Sequence, residues 1–476
     1  MRAKIPTGVD RSSIQMWFKG DVVVFLFSGI ALAFCVAFAA FWPASLISLL
    51  VSIIYVIAIL KERPEFIFKY LAWFVTYALI VGGIVSVEFT DIYLSRLSVN
   101  AHFVGSMPLL MLGYWLFFMT LMAYDSKFGV EKTYNEKPLS MRTNVEAMRY
   151  LTYFMFAAVL FCFSFVLLSP SFITGLNRFE YLGTQIPSIT RYIGRVLDFM
   201  VIIPILYCKQ AKSKFAIATI ALYCVYLFWI NTKFGTFLSI FTIIVLVYYD
   251  SIFFYAKSKL YRLVAGAALL VLVLVCVAAL AHSFTSTIST SDYLAERLAG
   301  EGELWWRTYE LLDGNSYPAE FSNEVEALWS GKTRISDNVG SHYGIYGIMY
   351  FASPESTVNS VLSKGWRFTE AGFAAAYYYF GIFGIIGFGV FSGLLVAFIQ
   401  NSLLRAIRQA KPIKASVLVY FSNLAKTAVG MFLFVEFLRP ISIIFYLYLI
   451  LEKLLTYQRF RLAFHNIPPR KARPRE

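Results

Sequence analysis

Apolar runs of about twenty residues, the length that lets an α-helix cross a bilayer, recur along nearly the whole chain, each closed by charged or turn-forming residues. Twelve can be placed, at 21–41, 43–60, 68–88, 104–124, 149–169, 193–208, 214–231, 235–256, 262–284, 371–400, 414–437 and 440–456. The sixth is short at its core, and the second and twelfth are short and follow tight turns. The pattern predicts an all-α polytopic membrane protein with about twelve transmembrane helices. The first run follows twenty mostly polar residues and no A-x-A site comes after it, so it is expected to stay as an anchor and not to be cleaved as a signal. The expected organisation is an N-terminal segment 1–20, helices one to nine over 21–284, a large polar loop over 285–370, helices ten to twelve over 371–456, and a basic tail over 457–476.

Composition narrows the class further. The chain is 59% hydrophobic and only 15% charged, against roughly a quarter charged in soluble domains. That excludes a soluble enzyme and a disordered chain. The five cysteines, Cys35, Cys162, Cys208, Cys224 and Cys276, all lie in or beside apolar segments. Without C-x-x-C or Cys/His spacing they predict neither a disulfide framework nor a cysteine metal site.

The net charge of +14 invites a nucleic-acid reading until its distribution is considered. With the N-terminus cytoplasmic, the inside segments hold 29 of the Lys and Arg residues and the outside segments 12, with Lys426 left inside a span. Every inside segment is basic, so both termini are expected in the cytoplasm, and the tail Arg470–Arg475 reads as a topology and lipid-headgroup signal. No nucleic-acid partner is expected.

The loop 285–370 departs from the rest. It carries twelve acids and six bases, and four of the nine tryptophans, Trp305, Trp306, Trp329 and Trp366. A structureless loop of that length is uncommon unless it has a function. Two readings stay open: a packed cap resting on the bilayer interface, where Trp is at home, and platforms on which sugar rings stack. The stretch from Ile288 to Leu312 reads as helix with Ser291 or Asp292 as its cap. The segment Asp337–Tyr350 is glycine-rich and suits a tight turn near the membrane. Gly381, Gly384, Gly387, Gly389 and Gly393 line the tenth run and suit close helix packing.

No nucleotide loop, HExxH or GxSxG motif is present. The candidate chemistry lies in cations that remain on the outer side against the topology rule: Arg178, Arg191 and Arg195 between the fifth and sixth runs, Lys233 and Arg439 in tight hairpins, and Arg334 and Arg367 in the large loop. Converging at one membrane edge, such groups bind a diphosphate; each also reads as a snorkelling or ion-paired side chain, and Arg439 follows Glu436 by three residues. His342 is the candidate general base, with Glu370 and Asp337 as fallbacks. His102 and His282 face outward at span ends and read as interfacial packing. Asp198 and Lys426, inside spans, read as an interhelical ion pair or as part of a proton path.

The hairpin Asn231–Gly235, the arginine-bearing loop from Arg178 to Arg195, the segment Arg367–Gly381 leading into the tenth run and the Leu438–Pro440 hairpin, set in this arrangement of spans and one late outer loop, resemble the O-antigen polymerases of Wzy type and the wider bacterial oligosaccharide repeat-unit polymerases. Arg334 precedes Gly344 by nine intervening residues, one fewer than in the arginine–glycine motif of some members. The resemblance implies a metal-independent membrane glycosyltransferase of GT-C type in the bacterial inner membrane, with its active site facing the periplasm. It would act on undecaprenyl-diphosphate-linked oligosaccharides beside a chain-length regulator and a flippase, without a cofactor. His342 would be the base, with Lys233, Arg367, Arg439 and Arg334 around the donor diphosphate. Arg178, Arg191, Arg195, Trp305 and Trp306 would hold the glycan or a second diphosphate. Metal-dependent enzymes of this type place paired acids in the first outer loop, which here is a few residues around Trp42 and Pro43, far from the pair Glu301 and Glu303; no metal is expected. An O-antigen ligase, or a lipid-linked oligosaccharide flippase, is the alternative.

Overall fold

A computed structural model of the chain describes residues 11–129, 141–168, 171, 181, 183–230, 232, 234–252, 290–330 and 338–465. The first helices are α1 (Arg11–Ala37), α2 (Trp42–Glu62), α3 (Pro64–Lys69) and α4 (Leu71–Phe89), followed by a two-residue hairpin, β1 (Tyr93–Leu94) with β2 (Val99–Asn100), and α5 (Met107–Phe128). Next come α6 (Met141–Ser164), α7 (Ser188–Met200), α8 (Ile202–Ala211), α9 (Lys214–Trp229) and α10 (Phe234–Val247). Short helices α11 (Thr290–Ala299), α12 (Glu303–Leu312), α13 (Ser322–Ser330), α14 (Gly344–Ala352) and α15 (Glu355–Ser363) lead to α16 (Gly372–Arg408), α17 (Pro412–Met431) and α18 (Pro440–His465). Five helices, α2, α4, α5, α6 and α16, are long and apolar enough to cross a membrane, and the fold is that of an all-α membrane protein. The ninth apolar run, 262–284, lies outside the described residues, as do Cys276 and His282.

Proline punctuates the bundle. Pro43, Pro64, Pro108, Pro412 and Pro440 each fall in the first turn of a helix, where the missing N–H costs nothing and the fixed φ starts the next turn. Long apolar stretches are thereby cut into antiparallel helices. The sixth run emerges as two helices, α7 and α8, meeting at Val201.

Two buried clusters organise the packing. One joins α1–α5, the short helices after residue 290 and the first half of α16. The other joins α6–α10 with the end of α16 and α17. Helix α16 lies along α5 so closely that a Cβ on Gly389 or Gly393 would come within 2.8 Å of the carbonyl oxygens of Gly113 or Phe117. The expectation that these glycines serve helix packing holds there. It does not hold at Gly381, where φ is +58° and the helix breaks. A Cβ on Gly384 would collide with the carbonyl of Ala376, and Phe373 meets Phe388 at 5.2 Å between ring centroids. The expected single tenth span is therefore a helical hairpin: a limb 372–380 doubles back on the limb 382–408.

The end of the bundle opposite the short helices is closed by a buried polar knot. Lys69 donates to Asp125 at 2.7 Å and to Asn401 at 2.9 Å. Tyr70 and Asn401 both donate to the other oxygen of Asp125, at 2.9 and 2.7 Å. The two ionisable residues inside the bundle take separate hydroxyl partners: Lys426 donates to Ser239 at 3.0 Å, and Asp198 accepts from Tyr223 at 2.6 Å.

Candidate functional site

The described part of the large polar loop folds into a cap seated on α4, α5 and α16. Trp305 donates its indole N–H to the carbonyl of Ser106 at 3.1 Å, and Trp306 donates to that of His102 at 2.9 Å. Trp306 has no exposed surface, and the ring of His102 meets it edge-on at 5.2 Å. Both faces of these indoles are therefore covered by protein. They act here as wedges fastening the cap to the loop before α5, and the sugar platform expected at them is not offered in this arrangement. Trp329, 86% exposed, presents a free face. Arg96, in the β1–β2 turn, completes the seat through Glu303 at 3.2 Å. Burial pushes the Glu303 carboxyl up to about 7, with Arg96 opposing that rise.

Three of the cations expected at the site approach one carboxylate. Glu436 lies buried in the short 3₁₀ turn Phe434–Leu438 between α17 and α18. Arg439 donates from Nη2 to one oxygen of it and brings Nε into ion-pair contact with the other; a guanidinium can meet carboxylates and phosphates alike. Arg367, from the loop before α16, sits against the Tyr346 hydroxyl and acts on Glu436, as does Arg195 of α7. Burial pushes the Glu436 carboxyl above its ordinary range, and Arg439, Arg367 and Arg195 pull it back. Arg367 and Arg439 are half-buried, whereas Arg195 is exposed and lies over the Tyr192 ring at 5.8 Å. Segments far apart in the chain thus come together, with Arg439 in contact with the carboxylate and Arg367 and Arg195 within electrostatic reach of it.

The remaining expectations separate. Arg191 is exposed and donates to Ser188 at 2.7 Å on its own helix. His342 is exposed with its ring against Tyr350, at 5.0 Å between centroids. It stands just before α14, whose Tyr346 faces the arginines. Lys233, Arg178, Arg334 and Asp337 lie outside the described residues.

Below the cap is a cavity of about 20 Å³, room for one water-sized occupant. Its walls are mostly aromatic and aliphatic, with Trp73 and Ile80 of α4 and Tyr114 and Phe117 of α5 among them. Two acids, Glu301 and Glu370, are also among its lining residues. Glu301 projects from the turn between α11 and α12, where Gly302 packs backbone-to-backbone on Gly83 of α4. Glu370 precedes the hairpin, and its loop is pinned by Ala371 N–H to the Gly430 carbonyl at 2.8 Å and by Thr369 to the Gly300 carbonyl at 2.9 Å. In sequence Glu301 pairs most readily with Glu303, two residues on. In three dimensions Glu303 turns to Arg96, and Glu301 lines one cavity with Glu370, a proximity that no local spacing announces.

Residues 338–447, which contain α14, α15, the helical hairpin, α17, Arg367, Glu370, Glu436 and Arg439, match a family described as a family of unknown function, DUF6418. No curated protein matches the chain. No solved structure matches it.

Proposed function

We propose that the chain is a polytopic glycosyltransferase of about twelve spans that polymerises undecaprenyl-diphosphate-linked oligosaccharide repeat units into O-antigen or a related surface polysaccharide. In this reading both termini are cytoplasmic, the protein lies in the bacterial inner membrane, and the cap faces the periplasm. The observation that carries it is the approach of Arg195, Arg367 and Arg439 to Glu436 at the cap end. A transfer from a lipid diphosphate needs fixed positive charge where negative charge builds on the leaving diphosphate oxygen. Guanidinium forks recognise that group better than ammonium points. Glu436 holds the forks in orientation while no substrate is there, and the diphosphate takes over their hydrogen bonds on binding. His342, exposed beside α14, takes the proton from the acceptor hydroxyl. Among the tryptophans of the large polar loop, Trp329 and Trp366 are exposed and are the ones placed to meet sugar.

The test is a strain lacking the gene, complemented with wild type, Arg439→Ala, Arg367→Ala or His342→Ala and examined for its surface polysaccharide ladder. Polymerase activity predicts that long chains vanish and a single capped unit remains in the arginine variants. Build-up of lipid-linked polymer instead would indicate a ligase. A normal ladder in Arg439→Ala and Arg367→Ala would remove the diphosphate site.

A further inference from the structure

His342 is exposed, yet its neighbours Ser341 and Tyr343 are buried, and the segment that carries it is fixed on both sides. Gly340 turns at φ +74°, and its N–H donates to the Tyr350 hydroxyl at 2.6 Å. That hydroxyl donates in turn to the side-chain oxygen of Asn359 on α15, at 2.5 Å. Tyr343 donates to the side-chain oxygen of Asn338 at 2.6 Å, and the Ser341 N–H to the Asn338 carbonyl at 3.0 Å. Gly344, at φ +50°, gives its N–H to Glu324 of α13. Gly347 lies beneath: a Cβ there would stand 3.0 Å from the His342 carbonyl. The segment therefore lies back on α14 and lays the imidazole against the Tyr350 ring, 5.0 Å between centroids and tilted by 42°. Glycine supplies the positive φ at both turns without steric cost, so this local fold is built around one exposed imidazole.

We propose that Tyr350 and Asn359 are positioning residues that aim the His342 ring, an inference that rests on the reading of His342 as the base. The Tyr350 hydroxyl gives its proton to Asn359 and accepts from Gly340. It therefore donates no hydrogen bond to His342 and acts through its ring. Asn359 and Gly340 fix where that ring lies, and the ring limits the swing of the imidazole. A base works only within hydrogen-bond reach of the proton it takes, and a third group that orients it is the usual means. The same helix sets the base against the arginines. Tyr346, about one turn before Tyr350, sits against Arg367, so α14 carries the support of the base and a contact of one phosphate donor on a single rigid piece.

The test reads His342 in two ways. In the first, membranes of the strain lacking the gene, complemented with each variant, extend lipid-linked repeat units extracted from the uncomplemented strain. Tyr350→Phe keeps the ring and loses both hydrogen bonds; it is expected to lower kcat by about 10²-fold, the cost of a misplaced group, with KM unchanged. In the His342→Ala background the same change is expected to cost nothing further, because a residue that acts through the base has no effect once the base is gone. Equal losses in both backgrounds would make Tyr350 structural and overturn the proposal. The second readout needs no activity: diethyl pyrocarbonate modification of the purified full-length protein, followed by peptide mass spectrometry at His342, with the exposed His102 as internal reference. Tyr350→Phe and Asn359→Ala are expected to raise the rate at His342 several-fold and to leave His102 unchanged. An unchanged rate at His342 in both variants would overturn the proposal. A raised rate together with normal polymer from His342→Ala would keep the positioning and remove the base, which separates the failure of one reading from that of the other. Should Tyr350→Phe fail to fold, Asn359→Ala carries both measurements.

Discussion

Arg439 and Glu436 stand three residues apart and close on each other as an ion pair, with Nη2 donating to one carboxylate oxygen, at the buried turn between α17 and α18. A side chain already holding a carboxylate in that geometry is oriented to hold a phosphate in the same one. Removing it takes away one preorganised donor at the developing charge, a loss of about 10²–10³ in rate. Arg439→Ala and Arg367→Ala are each expected to lower polymer formation by about that factor. Arg439→Lys recovers part of the loss, because charge survives while the fork does not. Arg191→Ala, whose guanidinium is spent on Ser188 of its own helix, is expected to behave as wild type. In-membrane polymerisation assays on the four variants, normalised to protein level, check the order.

How much of this was written in the sequence depends on the range of the interaction. That the chain is built of apolar helices, five of them long enough to span a membrane, is legible, because apolar length and a proline in the first turn of several of them act within one segment. The cap's two-helix stretch is legible too, although its break at Gly300–Gly302 is set by contact with Gly83, which the local pattern does not contain. The hairpin at Gly381 was hidden: both limbs are apolar, and continuous hydrophobicity reads as one span whether or not the chain reverses. Arg367 and Arg439 stood out as cations in segments that the charge count assigns to the outer side, and that signal is local. That Glu301 and Glu370 line one cavity was out of reach, since they are far apart in the chain and the nearer acid, Glu303, is claimed by Arg96.

The tryptophans divide into wedges and free faces, and that division is measurable. Trp306 is wholly buried with its indole N–H on His102. Trp306→Ala is expected to destabilise the protein by about 3–5 kcal/mol, the cost of emptying a large aromatic site. Trp329→Ala removes an exposed ring and is expected to leave stability within about 0.5 kcal/mol. Sugar stacking at Trp329 would instead lower activity at unchanged stability. Denaturation curves and activity measured on the same two variants separate packing from substrate contact.

At the far end of the bundle the knot of Lys69, Asp125, Tyr70 and Asn401 joins α3, α5 and α16. Breaking one side of a buried pair leaves the other charge uncompensated, at a cost of about 3–5 kcal/mol. Lys69→Met and Asp125→Leu are each expected to fall in that range, and the double variant to lose clearly less than their sum, since it leaves no lone charge. Unfolding of the four proteins as a double-mutant cycle reads the coupling directly. Additive losses would mean that the salt bridge contributes nothing.

Glu324 gives the cap a pH dependence whose sign can be worked out. Its carboxyl takes hydrogen bonds from the Tyr379 hydroxyl, at 2.6 Å, and from the Gly344 N–H at the start of α14, both on the same oxygen. Burial pushes it from 4.5 up to about 7. A raised carboxyl binds its proton more tightly in the folded cap than in the unfolded one. Its stabilising effect is therefore complete below about pH 4.5 and is lost as pH climbs through about 7. At about 1.4 kcal/mol per pH unit that interval amounts to about 3 kcal/mol. Glutamine at this position keeps one carbonyl oxygen for both donors and cannot ionise. Glu324→Gln should therefore flatten the decline between about pH 5 and about pH 8 and leave the protein more stable than wild type at the alkaline end. Glu303, also raised to about 7, continues to titrate in the variant, so a residual slope is expected. Hydrogen exchange of the α14 amides across that pH range, compared between wild type and variant, isolates the Glu324 share, and parallel curves would show that Glu324 is ionised in the folded cap at no cost.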